Sequence, residues 1–276
     1  MQYVELNINI EDQEQAEILT AMLSDYPFEA FESDENSLKA YIQSTEHELC
    51  YRQVSTMLEE WNVSDFAFSE VEQENWNQEW ESSFDPVDVE GEKPIRIRAP
   101  HHEAVEGAID VVIAPRMSFG TGHHTTTALM SSAIAELGLQ GKGLDMGCGT
   151  GVLAIVALKC GAEKMLCVDI DDWACESCHD SVKLSGVEDR VEVRCGSVEV
   201  LRQDKFDFVL ANINRNILQM MMPQFGRRVC EGGYLLMSGF LGEDIVPITA
   251  SALDCGFAVE SVKQKDDWVV MICKKE

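Results

Sequence analysis

A glycine-rich turn and a downstream acid are the residues best suited by type and spacing to bind a ligand. The turn has the pattern D-x-G-x-G-x-G over residues 145–151, between an expected strand at 143–146 and an expected helix at 152–159. Glycines let the backbone turn sharply and approach a ligand closely at the carboxyl edge of a parallel sheet. Asp169 ends the next expected strand, 22 residues beyond Gly147. An acid at this distance can accept hydrogen bonds from both ribose hydroxyls, so the pair predicts a nucleoside site.

The glycine spacing argues against a dinucleotide. Gly147 and Gly149 match the first two positions of G-x-G-x-x-G, but Val152 stands where the third glycine belongs. A pyrophosphate ligand is therefore disfavoured. A purely structural role, in which the glycines serve only a tight turn, is less consistent with the acid at the expected distance.

Together, the glycine turn and the second-strand acid resemble the class I S-adenosylmethionine-dependent methyltransferases. Four further segments narrow the resemblance: NWNQEW at 75–80, MSFGTGHHTTT at 117–127, ANINRNI at 211–217 and EGGYLLMSG at 231–239. With these segments the sequence resembles, over nearly its whole length, the PrmA family, which methylates the large-subunit ribosomal protein L11. The resemblance implies methylation of lysine side chains and of an N-terminal amine, with the front domain holding the substrate protein.

Carried over by position, the resemblance implies the following S-adenosylmethionine contacts: Thr127, Gly147, Gly149, Asp169 and Asn212. Asn212 is also expected to be catalytic, because its position at the end of the fourth strand suits it to orienting an amine. The family's usual H-P-T-T reads HTTT at 124–127, and losing the proline leaves the choice between Thr126 and Thr127 open. No metal is expected.

The chemistry of the expected substrate sets a requirement on the site. A lysine with a pKa near 10.4 is neutral in only about 0.04% of molecules at pH 7, which costs about 4.6 kcal/mol before attack. An apolar neighbourhood and the sulfonium charge both disfavour the ammonium form. Beyond this, in-line displacement needs the nitrogen held close to the methyl carbon.

Two other functions stay open. Methyltransferases that act on adenine or on glutamine amides also end the fourth strand with asparagine, but two prolines and an aromatic residue usually follow, whereas here the sequence continues with Ile213-Asn214-Arg215. The second open function is that of a non-catalytic adaptor, which binds S-adenosylmethionine and docks basic proteins through residues 1–72. The complete ligand edge argues against that adaptor.

Two patterns resemble cofactor sites without persuasive context. CESCH at 175–179 matches the c-type haem attachment pattern, but it falls in the expected helix after the ribose acid. The histidine pairs at 101–102 and 123–124 lack a suitably spaced set of Cys or carboxylate partners. We interpret them as loop residues, with His124 placed to order the neighbouring threonines.

Charge is concentrated at the front of the chain. The formal net charge is −28, and residues 1–92 carry 24 acids against Lys39 and Arg52, a net of −22, which leaves −6 for the rest. This field repels nucleic acid and attracts a basic partner, such as a ribosomal protein, free or on the ribosome. The alternative is a solvated, solubilising face. With no apolar run long enough for a bilayer and no signal peptide pattern, we expect a soluble cytoplasmic protein that contacts neither DNA nor membrane, with reduced cysteines.

The hydrophobic periodicity predicts two different domains. Residues 1–72 alternate in the order βαββαβ, which is typical of a small α+β ferredoxin-like domain and is assigned to substrate recognition. Residues 73–94 are expected to form a linker helix, with an aromatic face at Trp76, Trp80 and Phe84, and a connection. Residues 95–276 alternate strands and helices, which predicts a Rossmann-like α/β methyltransferase domain whose mostly parallel sheet ends in an antiparallel C-terminal edge formed by a hairpin.

Overall fold

The structure, a computed structural model, describes residues 3–10, 12–34, 36–61, 63, 65–70, 84–114 and 120–276. The chain divides into two compact units, Met1–Asn75 and Trp76–Glu276. The linker helix expected before Phe84, with Trp76 and Trp80, lies outside the described residues. None of the described helices is both long and apolar enough to cross a membrane.

The front unit has the βαββαβ order that its periodicity predicts. Its four strands form one antiparallel sheet in the order β2-β3-β1-β4, as in a ferredoxin-like fold. The elements are β1 Tyr3–Asn9, α1 Gln13–Leu23, β2 Phe28–Ser33, β3 Ser37–Gln43, α2 Ser44–Glu60 and β4 Phe66–Glu70.

Strand alternation separates the two faces of this sheet. Leu6 pairs with Ala40, and both belong to the buried cluster that includes Leu19 of α1 and Leu58 of α2. The neighbouring pair on the opposite face is polar, because Glu5 is opposite Tyr41. The front unit therefore has one apolar face under its helices and one polar face.

The expected cap of α2 is wrong. The sequence predicts a helix over residues 46–61 with Ser44 or Thr45 as its N-cap, because these residue types suit that position. In the structure Gln43 is the N-cap, without a side-chain capping bond, and Ser44 is already the first helical residue. The reason is that β3 continues to Gln43, so the chain passes from strand to helix without an intervening residue.

The second unit is built on a seven-stranded sheet in the order β10-β9-β8-β11-β12-β14-β13. Its first five strands are parallel, and β14 runs antiparallel between β12 and the outer strand β13, so the C-terminal hairpin forms the expected antiparallel edge. The strands are β8 Lys142–Met146, β9 Lys164–Asp169, β10 Val191–Cys195, β11 Phe206–Asn212, β12 Val229–Leu241, β13 Phe257–Lys265 and β14 Trp268–Lys275.

Helices cover both faces of this sheet, as the alternating pattern predicts. They are α3 Thr125–Leu137, α4 Val152–Cys160, α5 Asp172–Leu184, α6 Arg215–Arg228 and α7 Ile245–Asp254. Successive residues of one strand enter different cores: Cys167 belongs to the cluster that includes α4, whereas Leu166 and Val168 belong to the cluster that includes α6. A sheet buried on both faces fixes the positions of its strand ends.

A small three-stranded sheet precedes these elements: β5 Val87–Val89, β6 Ile95–Arg98 and β7 Ile109–Val112. Phe84 and Val89 are buried in the same core as α4, so residues before 95 pack within the second unit. All ten cysteines of the chain are free thiols.

Candidate functional site

Three neighbouring parallel strands end at the positions that the sequence singles out. β9, β8 and β11 are adjacent in the sheet. Asp169 ends β9, Gly147 follows β8, and Asn212 ends β11. Because the carboxyl ends of parallel strands share one edge, these three residues lie at the same edge of the sheet, which is where open α/β sheets bind ligands.

The glycine turn adopts a conformation that side chains oppose. Gly147, Gly149 and Gly151 all have positive φ values, of 75°, 52° and 76°. A Cβ on Gly147 would lie 2.3 Å from Cγ2 of Ile213, and one on Gly151 would lie 2.6 Å from Sγ of Cys178. The pattern therefore reflects both backbone conformation and close packing.

Asp169 is held against this turn by backbone hydrogen bonds. The Gly149 N–H donates to its Oδ2 at 2.9 Å, and the Asp171 N–H donates to its Oδ1 at 3.2 Å. The side chain is half-buried. An ionised carboxylate has about four acceptor positions, so each oxygen keeps capacity for a ligand hydroxyl.

The start of α3 places two threonines differently. The His124 ring is the N-cap: its Nδ1 accepts from the Thr126 N–H at 3.3 Å and lies 2.8 Å from the Thr126 hydroxyl. Both threonines are fully buried, but Oγ1 of Thr127 has no hydrogen-bond partner among the described residues. His124 also contacts Trp268 of β14 edge-on, with ring centroids 4.7 Å apart. His124 therefore orders this turn, as the sequence suggests, and occupies the Thr126 hydroxyl.

The segment before α3 is tied to the glycine turn. The buried Thr150 hydroxyl donates to the Gly120 carbonyl at 2.7 Å. A Cβ on Gly120 would lie 2.8 Å from that hydroxyl oxygen, so the approach requires glycine. Residues 117–119 of the same motif lie outside the described residues. The described part of the motif thus lies against the glycine turn.

The third motif fixes the loop after β11. Asn214 caps α6 by accepting from the Ile217 N–H at 3.1 Å. Gly239, at the end of the β12 motif, has φ of 89°, and a Cβ there would lie 2.4 Å from the Ile213 carbonyl oxygen. The two sequence motifs therefore pack on each other, and together they position Asn212.

Asn212 has an unsatisfied acceptor. Its Oδ1 is buried and has no hydrogen-bond partner among the residues that the structure describes. A buried amide oxygen without a partner is costly, and so is the comparable Thr127 hydroxyl. Each of these two oxygens is therefore available to a polar ligand.

Asp145 is a buried acid beneath the turn. It is 1% exposed, and its Oδ2 accepts from the Ala154 N–H of α4 at 3.2 Å, while its Oδ1 has no partner among the described residues. Burial raises the pKa of this carboxyl well above its usual range. Asp145 thus anchors the start of α4.

The two sequence patterns that resemble cofactor sites, CESCH and the histidine pairs, are not arranged as such sites among the described residues. Cys175 and Cys178 are both buried in α5, whereas His179 is exposed. The histidines of 101–102 and 123–124 are absent from the single metal-competent group among the described residues, which consists of three cysteines. That cysteine group, and the contact of Trp268 with His124, escaped the sequence analysis, since residues far apart in sequence form both.

A family model and individual relatives both identify the family of this chain. The family model described as "Ribosomal protein L11 methyltransferase (PrmA)" matches residues 3–276. A protein of Porphyromonas gingivalis named ribosomal protein L11 methyltransferase is 37% identical, with 92% of this chain and 89% of the relative covered. One from Bacteroides fragilis with the same name is 36% identical, and 92% of each chain is covered. The crystal structure of a ribosomal protein L11 methylase from Lactobacillus delbrueckii is similar in fold, with a TM-score of 0.62 and 23% identity over 69% of this chain and 99% of that one.

Proposed function

We propose a reaction for this chain, which belongs to the PrmA family of ribosomal protein L11 methyltransferases: it transfers methyl groups from S-adenosylmethionine to lysine side chains and the N-terminal amine of L11. The observation that carries the proposal is the shared sheet edge, where Asp169, the glycine turn and the unpaired amide oxygen of Asn212 meet. This arrangement suits a nucleoside bearing a reactive sulfonium next to a bound amine. We assign the reaction to the cytoplasm, where L11 is made.

The residues present fit S-adenosylmethionine. Asp169 would accept hydrogen bonds from the ribose hydroxyls, and Gly147 and Gly149 would let the backbone approach the ligand. Thr127 and Asn212 would hold the polar amino-acid part of the cofactor through their buried, unpartnered oxygens. Thr127 is preferred over Thr126, because the Thr126 hydroxyl is already hydrogen-bonded to His124. When bound, the cofactor supplies a methyl group on positively charged sulfur.

The protein contributes to methyl transfer mainly by placing the amine. The amine must first lose a proton to solvent, at the cost of about 4.6 kcal/mol at neutral pH for an ordinary lysine. The Asn212 amide oxygen can accept a hydrogen bond from the neutral amine and direct its lone pair toward the methyl carbon. Holding the two reacting atoms in line is the largest contribution available to such a site.

We assign substrate recognition to the front domain, residues 1–72, and catalysis to residues 95–276. Residues 84–94 of the expected connection pack within the catalytic unit. On the polar face of the front sheet, the Tyr41 hydroxyl donates to Glu5 at 3.1 Å or to Glu32 at 3.2 Å. Burial, with the hydrogen bond to Glu5, raises the pKa of Tyr41 to about 12. The hydroxyl thus stays protonated and holds the two carboxylates close together. Glu5 also pairs with Lys39 at 3.5 Å, and we assign this polar group as the place where basic side chains dock.

The reaction is tested by offering competing substrates. The full-length protein is incubated with tritiated S-adenosylmethionine and one candidate substrate at a time: free L11, ribosomes that contain L11, DNA, or a glutamine-bearing release factor. We expect label in L11 alone, both free and within the ribosome. Label only in DNA or in a glutamine amide contradicts the proposal, and tight cofactor binding without any label indicates an adaptor.

The assigned docking face has a separate test. We expect the double change Glu5→Gln and Glu32→Gln to raise KM for L11, to leave kcat unchanged, and to weaken the dependence of KM on salt. Glu59→Gln with Glu60→Gln is the matched control, because these exposed acids end α2. Equal KM values for the two double variants would remove this face from substrate recognition.

A further inference from the structure

Three cysteines from separate elements converge beneath the glycine turn. Cys148 lies in the turn, Cys167 in β9 and Cys178 in α5. Their Sγ atoms all lie within 4.8 Å of one another. Cys148 is 5% exposed and the other two are fully buried. We call these residues the thiol triad.

We infer that the thiol triad is a binding site for a soft monovalent metal ion, Cu(I). A metal–sulfur bond of about 2.3 Å places the three sulfurs of a trigonal site about 4 Å apart, which the observed separations accommodate with small adjustments. Thiolate ligands select soft metals. Zn²⁺ in structural sites takes four ligands, and among the described residues no fourth side chain joins the group.

The surroundings of the triad favour a soft ion over a hard one. All three cysteines belong to a cluster of buried residues that includes Val152, Leu153 and other apolar side chains. Such a pocket excludes the waters that hard cations retain. Each cysteine that binds as a thiolate releases its proton to solvent, so the copper is bound without any change of oxidation state.

The triad is coupled to the turn through direct packing. A Cβ on Gly151 would lie 2.6 Å from Sγ of Cys178, and Cys148 is itself a residue of the turn. Cys148 is the only one of the three residues with any exposed surface, so the proposal places the entry of the ion at the turn. If the turn holds the cofactor, as the proposed function requires, bound S-adenosylhomocysteine slows uptake of the ion.

The test is an anaerobic titration of the full-length protein with Cu(I) buffered by a colorimetric chelator. We expect one tight equivalent, which is lost in Cys148→Ala and Cys178→Ala and retained in the matched controls Cys230→Ala and Cys255→Ala. Wild-type protein that takes up no tight equivalent, or triad variants that bind as the wild type does, would overturn the inference.

X-ray absorption on copper-loaded wild-type protein keeps the inference falsifiable if a variant fails to fold. We expect three sulfur neighbours, whereas two would indicate binding at other cysteines and overturn the triad assignment. The titration is done without cofactor, so it stands even if the proposed function fails. An uptake rate that S-adenosylhomocysteine leaves unchanged would refute access through the turn.

Discussion

Replacing Asp169 with alanine should weaken cofactor binding more than any other single loss of a polar group at this edge. The carboxylate is held in place by two backbone N–H groups and retains acceptor capacity on both oxygens. Hydrogen bonds to a charged group contribute about 1.5 to 3 kcal/mol each, so losing two ribose bonds costs about 3 to 6 kcal/mol. At about 1.4 kcal/mol per tenfold, the Kd for S-adenosylhomocysteine rises by about 10² to 10⁴.

The asparagine variant separates the two bonds. Asp169→Asn keeps one acceptor oxygen, so we expect it to lose about one bond and about 10- to 100-fold in affinity. Asp189→Asn is the matched control, because Asp189 is an exposed acid in the short 3-10 helix before β10. This control should bind as the wild type does.

Isothermal titration calorimetry with S-adenosylhomocysteine measures all three variants directly. Thermal unfolding without ligand checks that the turn survives, since alanine also removes the acceptor for the Gly149 N–H. A folded Asp169→Ala protein with wild-type affinity would refute the assignment of this carboxylate to the ribose.

Four further changes test the remaining parts of the site. Asn212→Ala should lower kcat by about 10- to 100-fold, the value of one lost hydrogen bond to the reacting amine; an unchanged rate with intact cofactor binding removes Asn212 from catalysis. Thr127→Val should lower cofactor affinity without destabilising the free protein in thermal melts, since its hydroxyl has no partner there. Gly147→Ala should lower the free energy of unfolding by about 2 to 5 kcal/mol, because its φ is positive and its Cβ would overlap with Ile213. Gly186→Ala should lower it by only about 1 to 2 kcal/mol, because Gly186 has a φ of 66° but open space around it. Equal losses in denaturant unfolding would contradict the packing argument. In the wild type, the pKa of Asp145 is raised in the folded state, so the wild type loses stability as pH rises from the ordinary carboxyl pKa toward that raised value. Asp145→Asn has no such titration, so it should gain stability relative to the wild type over this range. Parallel curves of unfolding free energy between about pH 5 and about pH 8 would count against this.

The features that were predictable from the sequence are those set by local rules. Strand alternation and helical spacing predicted the six elements of the front unit, and the glycine pattern with an acid at the next strand end predicted the ligand edge. Asp169 was predictable because it ends the next expected strand and lies 22 residues beyond Gly147, the distance that a turn, a helix and a strand span. The start of α2 was missed because β3 leads directly into it, a junction that capping preferences do not describe.

The remaining features depend on contacts between distant residues. Preferring Thr127 over Thr126 required knowing which hydroxyl His124 occupies. The thiol triad depends on the packing of α5 against β9 and the glycine turn, and its members are 19 and 11 residues apart, unlike the short spacing of a sequence metal motif. Periodicity indicates which side chains are buried, but not which of them meet.

Mass spectrometry of purified L11 after incubation with this protein and S-adenosylmethionine tests the central claim most directly. The account predicts that L11 gains whole methyl groups, and that fragmentation places them on lysine side chains and the N-terminal amine. Unmodified L11 from a protein that binds the cofactor, or methyl groups found on glutamine amides instead, would contradict it.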